Sequence, residues 1–313
     1  VDISLNGNDL KRNSIVGGKA FGSSFAYRIR KTLASSELSI VYAARNDEEG
    51  TRCIIKEFFP KAWVRRGKDG VSVRRKAGMA EEKYGLLWNA FLNEGELLEK
   101  SRHPGVVRCL DRFEQNGTAY IVTEYLEGVT LDRYIADLRE EADPEFLYKT
   151  MIPLIEALEH IHRNGVIHRD VKPGNIMIGK DGSVKLLDFG SAISVHEQNG
   201  GYPIFTTAGY SPLELYSEKS RQGPISDIYS LAAVLYFCCQ KNAPTDVRKR
   251  LFDEQLERLG TGLRRSWPFL SPIVKRGLAV SQDKRCASLR WFKAALAMEY
   301  ATSPSFRRKR RSG

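Results

Sequence analysis

The chain has 313 residues, 42% of them hydrophobic, which is enough apolar material for one large domain or two lobes and excludes a wholly disordered polymer. Its net charge of +11 falls to about +6 once the five cations of Arg307 to Arg311 (RRKRR) at the extreme end are set aside, so no nucleic-acid partner is expected. Five cysteines, two of them adjacent (Cys238 and Cys239) and none in a CxxC pair, exclude a zinc site and a disulfide framework and fit a reducing cytoplasm.

Residues 1–26, rich in Gly, Ser and Asn around SIVGGKAFGSS, carry neither a strand nor a helix period and read as an arm or linker. Short β-branched and aromatic runs follow at Tyr27 to Arg30, Ser39 to Ala43, Arg52 to Lys56, Val106 to Phe113 and Ala119 to Glu124, divided by turn clusters such as NDEEG and EQNG. They predict one antiparallel sheet. A helix from about Glu81 to Lys100 interrupts it, with Leu86, Leu87, Ala90, Phe91, Leu97 and Leu98 at helical spacing and His103-Pro104-Gly105 as its stop. Before that helix lies a basic stretch at 61–82, which reads either as a solvated hairpin around KDG or as a docking element.

From Leu131 onward helices dominate. An amphipathic helix near Glu145 to Arg163 carries Leu147, Met151, Leu154, Ile155, Leu158 and Ile161, is bent by Pro153, and ends at Asn164-Gly165. A ribbon of Ile176 to Ile178 and Val184 to Leu187 turns at GKDGS and delivers Asp188. Asp227 opens a segment apolar on all sides, IYSLAAVLYFCC, which marks a buried helix. The longest apolar run, Leu231 to Cys239, is about half of a membrane span.

The chemistry concentrates in His168 to Asn175 (HRDVKPGN) and in Asp188-Phe189-Gly190. A carboxylate, an ammonium and two metal-ligating oxygens in that order suit phosphoryl transfer, where positioning and charge neutralisation do nearly all the work. By these motifs the chain is identified as a member of the eukaryotic-type (Hanks-type) Ser/Thr protein kinases, over about Tyr27 to Met298. KEFFP and GYSPLELY resemble stretches of its bacterial branch.

The resemblance implies an α+β, bilobal protein-kinase fold: an antiparallel sheet with one long helix over 27–125, a mainly helical lobe over 126–300, and a basic tail at 301–313. It implies Asp170 as the group that orients the acceptor hydroxyl, Lys172 on the transferring phosphate, and Asn175 and Asp188 as ligands of Mg²⁺. Lys56, in CIIKEFFP, and Glu94, on the long helix, resemble the ion pair that positions the ATP phosphates. Glu124 and Leu126 would offer backbone groups to adenine, Thr123 would be the gatekeeper, and Val41 above and Met177 below would form the apolar slot. Leu98, Phe189 and His168 would form a hydrophobic column, Thr207 would contact Asp170 and Lys172, and Glu214 would pair with Arg285. Arg169 corresponds to the arginine that grips a phosphorylated loop in many relatives, and Ser191, Ser194, Thr206 and Thr207 are hydroxyls open to autophosphorylation.

Two departures from the family pattern stand out. Ala34, Ser36 and Ser39 occupy the three glycine positions of the phosphate-covering loop, where positive φ angles would cost on the order of 1 kcal/mol each. Ile54 stands where relatives usually have alanine and narrows the pocket roof. The implied function is an ATP-dependent Ser/Thr protein kinase acting on protein hydroxyls; a pseudokinase that binds or scaffolds, and a small-molecule phosphotransferase, are the competing readings. The RRKRR tail is compatible with a juxtamembrane segment, a localisation signal or a solvated end. The oligomeric state is not legible.

Overall fold

The computed structural model describes residues 7–78, 80–139, 141–195, 204–252, 256, 259, 266–304 and 306. The RRKRR tail lies outside them. Two compact units emerge: residues 1–102 with 107–126, and residues 103–106 with 127–313.

The first unit is a six-stranded antiparallel sheet in the order β1-β2-β3-β4-β8-β7, made of β1 (Ile15–Gly17), β2 (Ala26–Ser35), β3 (Ser39–Asn46), β4 (Arg52–Phe58), β7 (Cys109–Gln115) and β8 (Thr118–Glu124). A small hairpin, β5 (Val64–Arg66) and β6 (Val73–Arg75), and the helix α1 (Glu81–Lys100) fall between β4 and β7. Strand partners share a face and alternate residues oppose it. Ile40, Tyr42, Ile55, Glu57, Tyr120 and Val122 therefore line one face, and all six are fully buried. Val41, Ile54, Lys56 and Thr123 line the other, each half-buried. Phe58, on that second face, meets Tyr84, Trp88 and Phe91 of α1 at ring distances of 5.4–5.6 Å, which seats the helix over one end of the sheet.

The N-terminal segment is not a free arm. Ile15–Gly17 pairs with Ala26–Arg28, Leu10 and Val16 are buried, and the Leu10 amide donates to the Tyr42 hydroxyl. The sequence concealed this because the strand is three residues long and ends on Gly17, whose φ of 85° and approach to the Phe25 carbonyl admit no side chain. The segment also joins the two sheet edges, since the Gly17 amide donates to Gln115 and both Ser23 and Tyr27 donate to Asp111 on β7.

The basic stretch is likewise anchored rather than merely solvated. Arg66 reaches through the sheet's buried face to grip both Glu57 oxygens at 2.7 and 2.6 Å, and Tyr42 and Tyr120 donate to the same carboxylate. Burial alone would push the Arg66 guanidinium down, but Glu57 overrides it and raises it above its ordinary range.

The strand expected at Val106 starts later, at Cys109, because Val106 bridges to Leu186 and belongs with the second unit. That unit holds β9 (Gly128–Thr130), α2 (Leu131–Asp137), α3 (Pro144–Arg163), β10 (Val166–Ile167), β11 (Ile176–Gly179), β12 (Val184–Leu186), β13 (Ile193–Ser194), α4 (Pro224–Gln240), α5 (Val247–Arg250), α6 (Leu270–Gly277) and α7 (Leu289–Thr302). Asp143 caps α3 by accepting from the Phe146 amide, and the apolar stripe read from the sequence is its buried face. α4 is buried on nearly every side, from Ser226 to Gln240. β9, β11 and β12 form one small sheet, and Gly128 lets β9 lie against the Ile178 carbonyl, where any Cβ would collide.

Candidate active site

The loop between β10 and β11 is fixed from below. Asp227, wholly buried near the start of α4, accepts from the backbone amides of His168 (2.9 Å) and Arg169 (2.8 Å) and bonds His162 Nε2 at 2.8 Å. Burial would push its carboxyl up, but these donors prevail and hold it below the usual carboxylate range. Arg169 adopts a left-handed φ of 68°, a strained conformation that the two amide bonds to Asp227 just ahead of its Cα help to hold. The sequence named Asp227 only as a helix start. A carboxylate opening an otherwise apolar buried helix was the available signal, because a buried charge demands several donors.

On this platform Asp170 accepts three side-chain hydrogen bonds. Thr207 donates to Oδ1 at 3.0 Å, while Lys172 Nζ at 2.7 Å and Asn175 Nδ2 at 2.9 Å reach Oδ2. Lys172 also lies 3.3 Å from the Thr207 hydroxyl. The Asn175 amide nitrogen is used twice on Asp170, which turns Oδ1 of Asn175 toward other ligands. Asp188 follows directly on Leu187, whose amide donates to the Asn175 carbonyl and whose own carbonyl meets His168 Nε2 at 2.9 Å. Asp188 itself has φ 52° and accepts from the Gly190 amide. His168 and Phe189 stack edge to face at 4.9 Å, and Met177 sits half-buried on β11. The second unit thus gathers Asp170, Lys172, Asn175, Asp188 and Thr207 around one loop.

In the first unit Lys56 Nζ is 2.8 and 2.9 Å from the two Glu94 oxygens. That pair stands on the half-exposed face with Val41, Ile54 and Thr123. Ala34 pairs with Val41 and shares the face. Glu124 turns its side chain the other way, accepting from the Arg108 amide, and its own amide donates to the Arg108 carbonyl. Leu98 is buried within α1, and Leu126 is half-buried just past β8.

The phosphate-covering hairpin departs from the strain expected of it. No residue from Leu33 to Ile40 has a positive φ, and β2 runs on through Ala34 and Ser35. The Ser36 amide bonds the Ser39 carbonyl, and the Ser36 hydroxyl accepts from the amides of Leu38 (3.2 Å) and Ser39 (3.0 Å). The Ser36 hydroxyl thus takes up the amides of Leu38 and Ser39 at the turn of the hairpin.

Farther along, Arg285 grips both Glu214 oxygens at 2.5 and 2.9 Å in a buried pair, and Ser226 adds a third bond at 2.8 Å. Asn175 and Asp188 present hard oxygen donors, the chemical type that would suit a divalent cation such as Mg²⁺. Among the described residues no group of three or more His, Cys, Asp or Glu side chains is placed to hold a metal ion.

The architecture and these motifs define a bilobal protein-kinase fold, and the comparisons agree: the protein kinase domain model matches residues 27–273, so the chain belongs to the protein kinase family, on its serine/threonine side. It is similar to the serine/threonine-protein kinase cds1 of Schizosaccharomyces pombe, 32% identical over 69% of this chain and 50% of that protein. It also resembles the serine/threonine-protein kinase nekl-2 of Caenorhabditis elegans, 31% identical over 60% of this chain and 56% of that one, and sperm motility kinase 2B of Mus musculus, 33% identical over 50% and 32%. A solved structure described as the PpkA-294 apo form superposes with a TM-score of 0.78 at 28% identity, covering 92% of this chain and 99% of its own. The chain spans 31–56% of the length of the curated relatives it matches. The family's phosphoryl donor is ATP, typically with a divalent metal, and its acceptors are proteins.

Proposed function

We propose that this chain is a working Ser/Thr protein kinase domain that uses Mg²⁺ and ATP to phosphorylate protein hydroxyls. The observation that carries the reading is Asp170 held by Lys172, Asn175 and Thr207 in the second unit, with an intact Lys56–Glu94 pair in the first. Bound MgATP supplies the phosphoryl group and the cation that neutralises its oxygens.

In this reading Asp170 Oδ1, which Thr207 now occupies, takes the hydrogen bond from an incoming Ser or Thr hydroxyl and points its oxygen at the phosphorus. Lys172 stays on Oδ2 and offers its remaining N–H groups to the transferring phosphate. Asn175 Oδ1 and the Asp188 carboxylate would hold Mg²⁺. Lys56, oriented by Glu94, would hold the inner phosphates, and Val41 and Ile54, on the same face of the first unit's sheet, would contact the base, as would Met177 of the second unit. Ser191, Ser194 and Thr206 are the hydroxyls we assign to self-labelling. Five free thiols fit a cytoplasmic setting.

The test is transfer of labelled phosphate from ATP with Mg²⁺ to generic basic proteins and to the chain itself, for the parent and for Asp170→Ala. The reading expects at least about a thousand-fold loss in kcat with nucleotide-induced thermal stabilisation preserved. Transfer that survives the substitution, or a parent that never labels any protein, overturns it.

A further inference from the structure

The inserted hairpin β5–β6 of the first unit has an inner and an outer face. Val64, Arg66, Val73 and Arg75 alternate onto the inner one, where both valines are buried, Arg66 holds Glu57, and the Arg75 guanidinium lies 4.3 Å from the centre of the Tyr84 ring. Arg65 and Arg74 therefore share the outer face, directly opposite one another, and both are exposed. The ladder runs one step further, with the Lys76 amide donating to the Trp63 carbonyl at 2.8 Å, so Lys76 joins that face. Lys68 stands exposed at the turn.

Like charges directly across a ladder destabilise it, and no acid answers this pair. Arg65, Lys68 and Arg74 form no hydrogen bond or ion pair among the described residues. The turn's one acid, Asp69, acts on Arg74 through space but spends its Oδ1 on the Val71 and Ser72 amides (3.0 and 2.9 Å) and on the Ser72 hydroxyl (2.9 Å). Glu57 and Glu81 are taken by Arg66 and Arg75, and the Lys76 ammonium meets a neutral group, the Lys61 carbonyl, at 2.7 Å. The ribbon that carries these cations is nonetheless firmly held. Arg66 bonds Glu57 and the Asn8 and Val71 carbonyls, and the Val73 amide donates to the Asn116 carbonyl at 2.7 Å. Two guanidinium groups thus stand side by side on a fixed support, which lowers the ordering cost of binding an anion between them.

We propose that the outer face of this hairpin is a docking site for a phosphorylated serine or threonine of a protein partner, whose phosphate bridges Arg65 and Arg74. Opposed residues of a ladder are about 4.5–5.5 Å apart at Cα, so one group can reach both side chains. A phosphate carries nearly two charges and three acceptor oxygens and satisfies two arginine forks at once; a carboxylate carries one charge and fills one fork. A bilayer needs an apolar face, and here the half-buried Trp63 is the one large apolar side chain beside the cations. A nucleic acid calls for cations spaced along a track of phosphates, whereas these two arginines meet at a point. Glu57, which anchors the hairpin, lies on the sheet face opposite Lys56, so a docked segment stays clear of that lysine. Under the kinase reading, on which this part rests, the partner is a substrate already labelled once and retained for a further transfer. Binding itself needs no turnover, so docking and catalysis can fail separately.

Fluorescence anisotropy with a synthetic phosphoserine peptide, its unphosphorylated parent and a version with Glu in place of phosphoserine tests the site. The phosphopeptide should bind about ten-fold tighter than either control, weaken as salt is added, and lose about ten-fold in affinity in Arg65→Ala/Arg74→Ala. Lys275→Ala/Arg276→Ala, which removes the same charge from exposed positions of α6, should keep the affinity. Because Arg65 and Arg74 point away from the core, the hairpin variant should melt no earlier than the parent and keep its transfer rate on an unphosphorylated substrate. Arg65→Lys/Arg74→Lys, a second variant that retains the charge without the forks, should lose about three-fold or more. No binding of the phosphopeptide, equal binding of the control peptides, equal loss in the α6 variant, full affinity in both hairpin variants, or tighter binding of a single-stranded oligonucleotide or of phosphatidylserine vesicles overturns the proposal.

Discussion

Replacing Arg66 by alanine should strip the first unit of more stability than any other single change in the inserted hairpin. The substitution leaves Glu57 with no solvent exposure, still accepting from Tyr42 (2.7 Å) and Tyr120 (3.2 Å) but with no cation beside it. It also deletes the contact of the guanidinium with the Phe59 ring at 4.8 Å and its bonds to the Asn8 and Val71 carbonyls. Breaking one side of a buried ion pair costs about 3–5 kcal/mol, because the remaining charge stays desolvated. Urea unfolding followed by Trp63 fluorescence, beside the hairpin, measures the loss. The double variant Arg66→Ala/Glu57→Gln should recover about 1–2 kcal/mol, since a buried amide costs less than a buried carboxylate. A single-variant loss below about 1 kcal/mol, or no recovery in the double, would refute the view that Arg66 fastens the hairpin by neutralising Glu57.

Ser36→Ala releases the Leu38 and Ser39 amides, so the KM for ATP should fall about three-fold, as expected for one net hydrogen bond; an unchanged or higher KM counts against the self-capped hairpin. Because the folded-state carboxyl of Asp227 lies below its ordinary value of 3.8, its contribution is complete above that pH and drains away as the pH falls further. Asp227→Asn should therefore be less stable at neutral pH and show a shallower acid limb in thermal melts; an identical acid limb argues against the assignment. Burial and Asp111 raise the Tyr27 hydroxyl, and burial and Glu57 raise Tyr42, both well above 10, so both add stability that is intact below pH 10 and declines as the pH climbs past it. Tyr42→Phe should flatten that alkaline decline, which pH-dependent urea midpoints would register.

The hydrogen-bonded cluster around Asp170 was legible in its members because most of them are adjacent in sequence. Asp170, Lys172 and Asn175 fall within six positions, and Thr207 and Asp188 were reached by motif. The long helices and the buried α4 were equally readable, since a stripe of Leu and Ile or an unbroken apolar run leaves little ambiguity. What escaped were features made by distant pairings. β1 is too short to show a period, and its hold on the fold comes from β2, Gln115 and Asp111. Arg66 looked like one more surface cation among RRGK because its partner Glu57 stands nine residues away behind a strand. The hairpin at Ser36 was read through the missing glycines as strained, whereas serine supplies in its hydroxyl what removes the need for a left-handed turn.

The join between β1 and β7 has a consequence for how the molecule behaves in a crowded solution. An open sheet exposes two rows of unpaired amides and carbonyls that can recruit strands from other chains. Here the segment ahead of Tyr27 spans from one rim to the other, with Gly17 bonded to Gln115 and with Ser23 and Tyr27 on Asp111. A fragment trimmed to begin at Tyr27 would bare the β2 rim and uncover Leu10 and Val16's neighbours, and so gain a tendency to self-associate without any change in its chemistry.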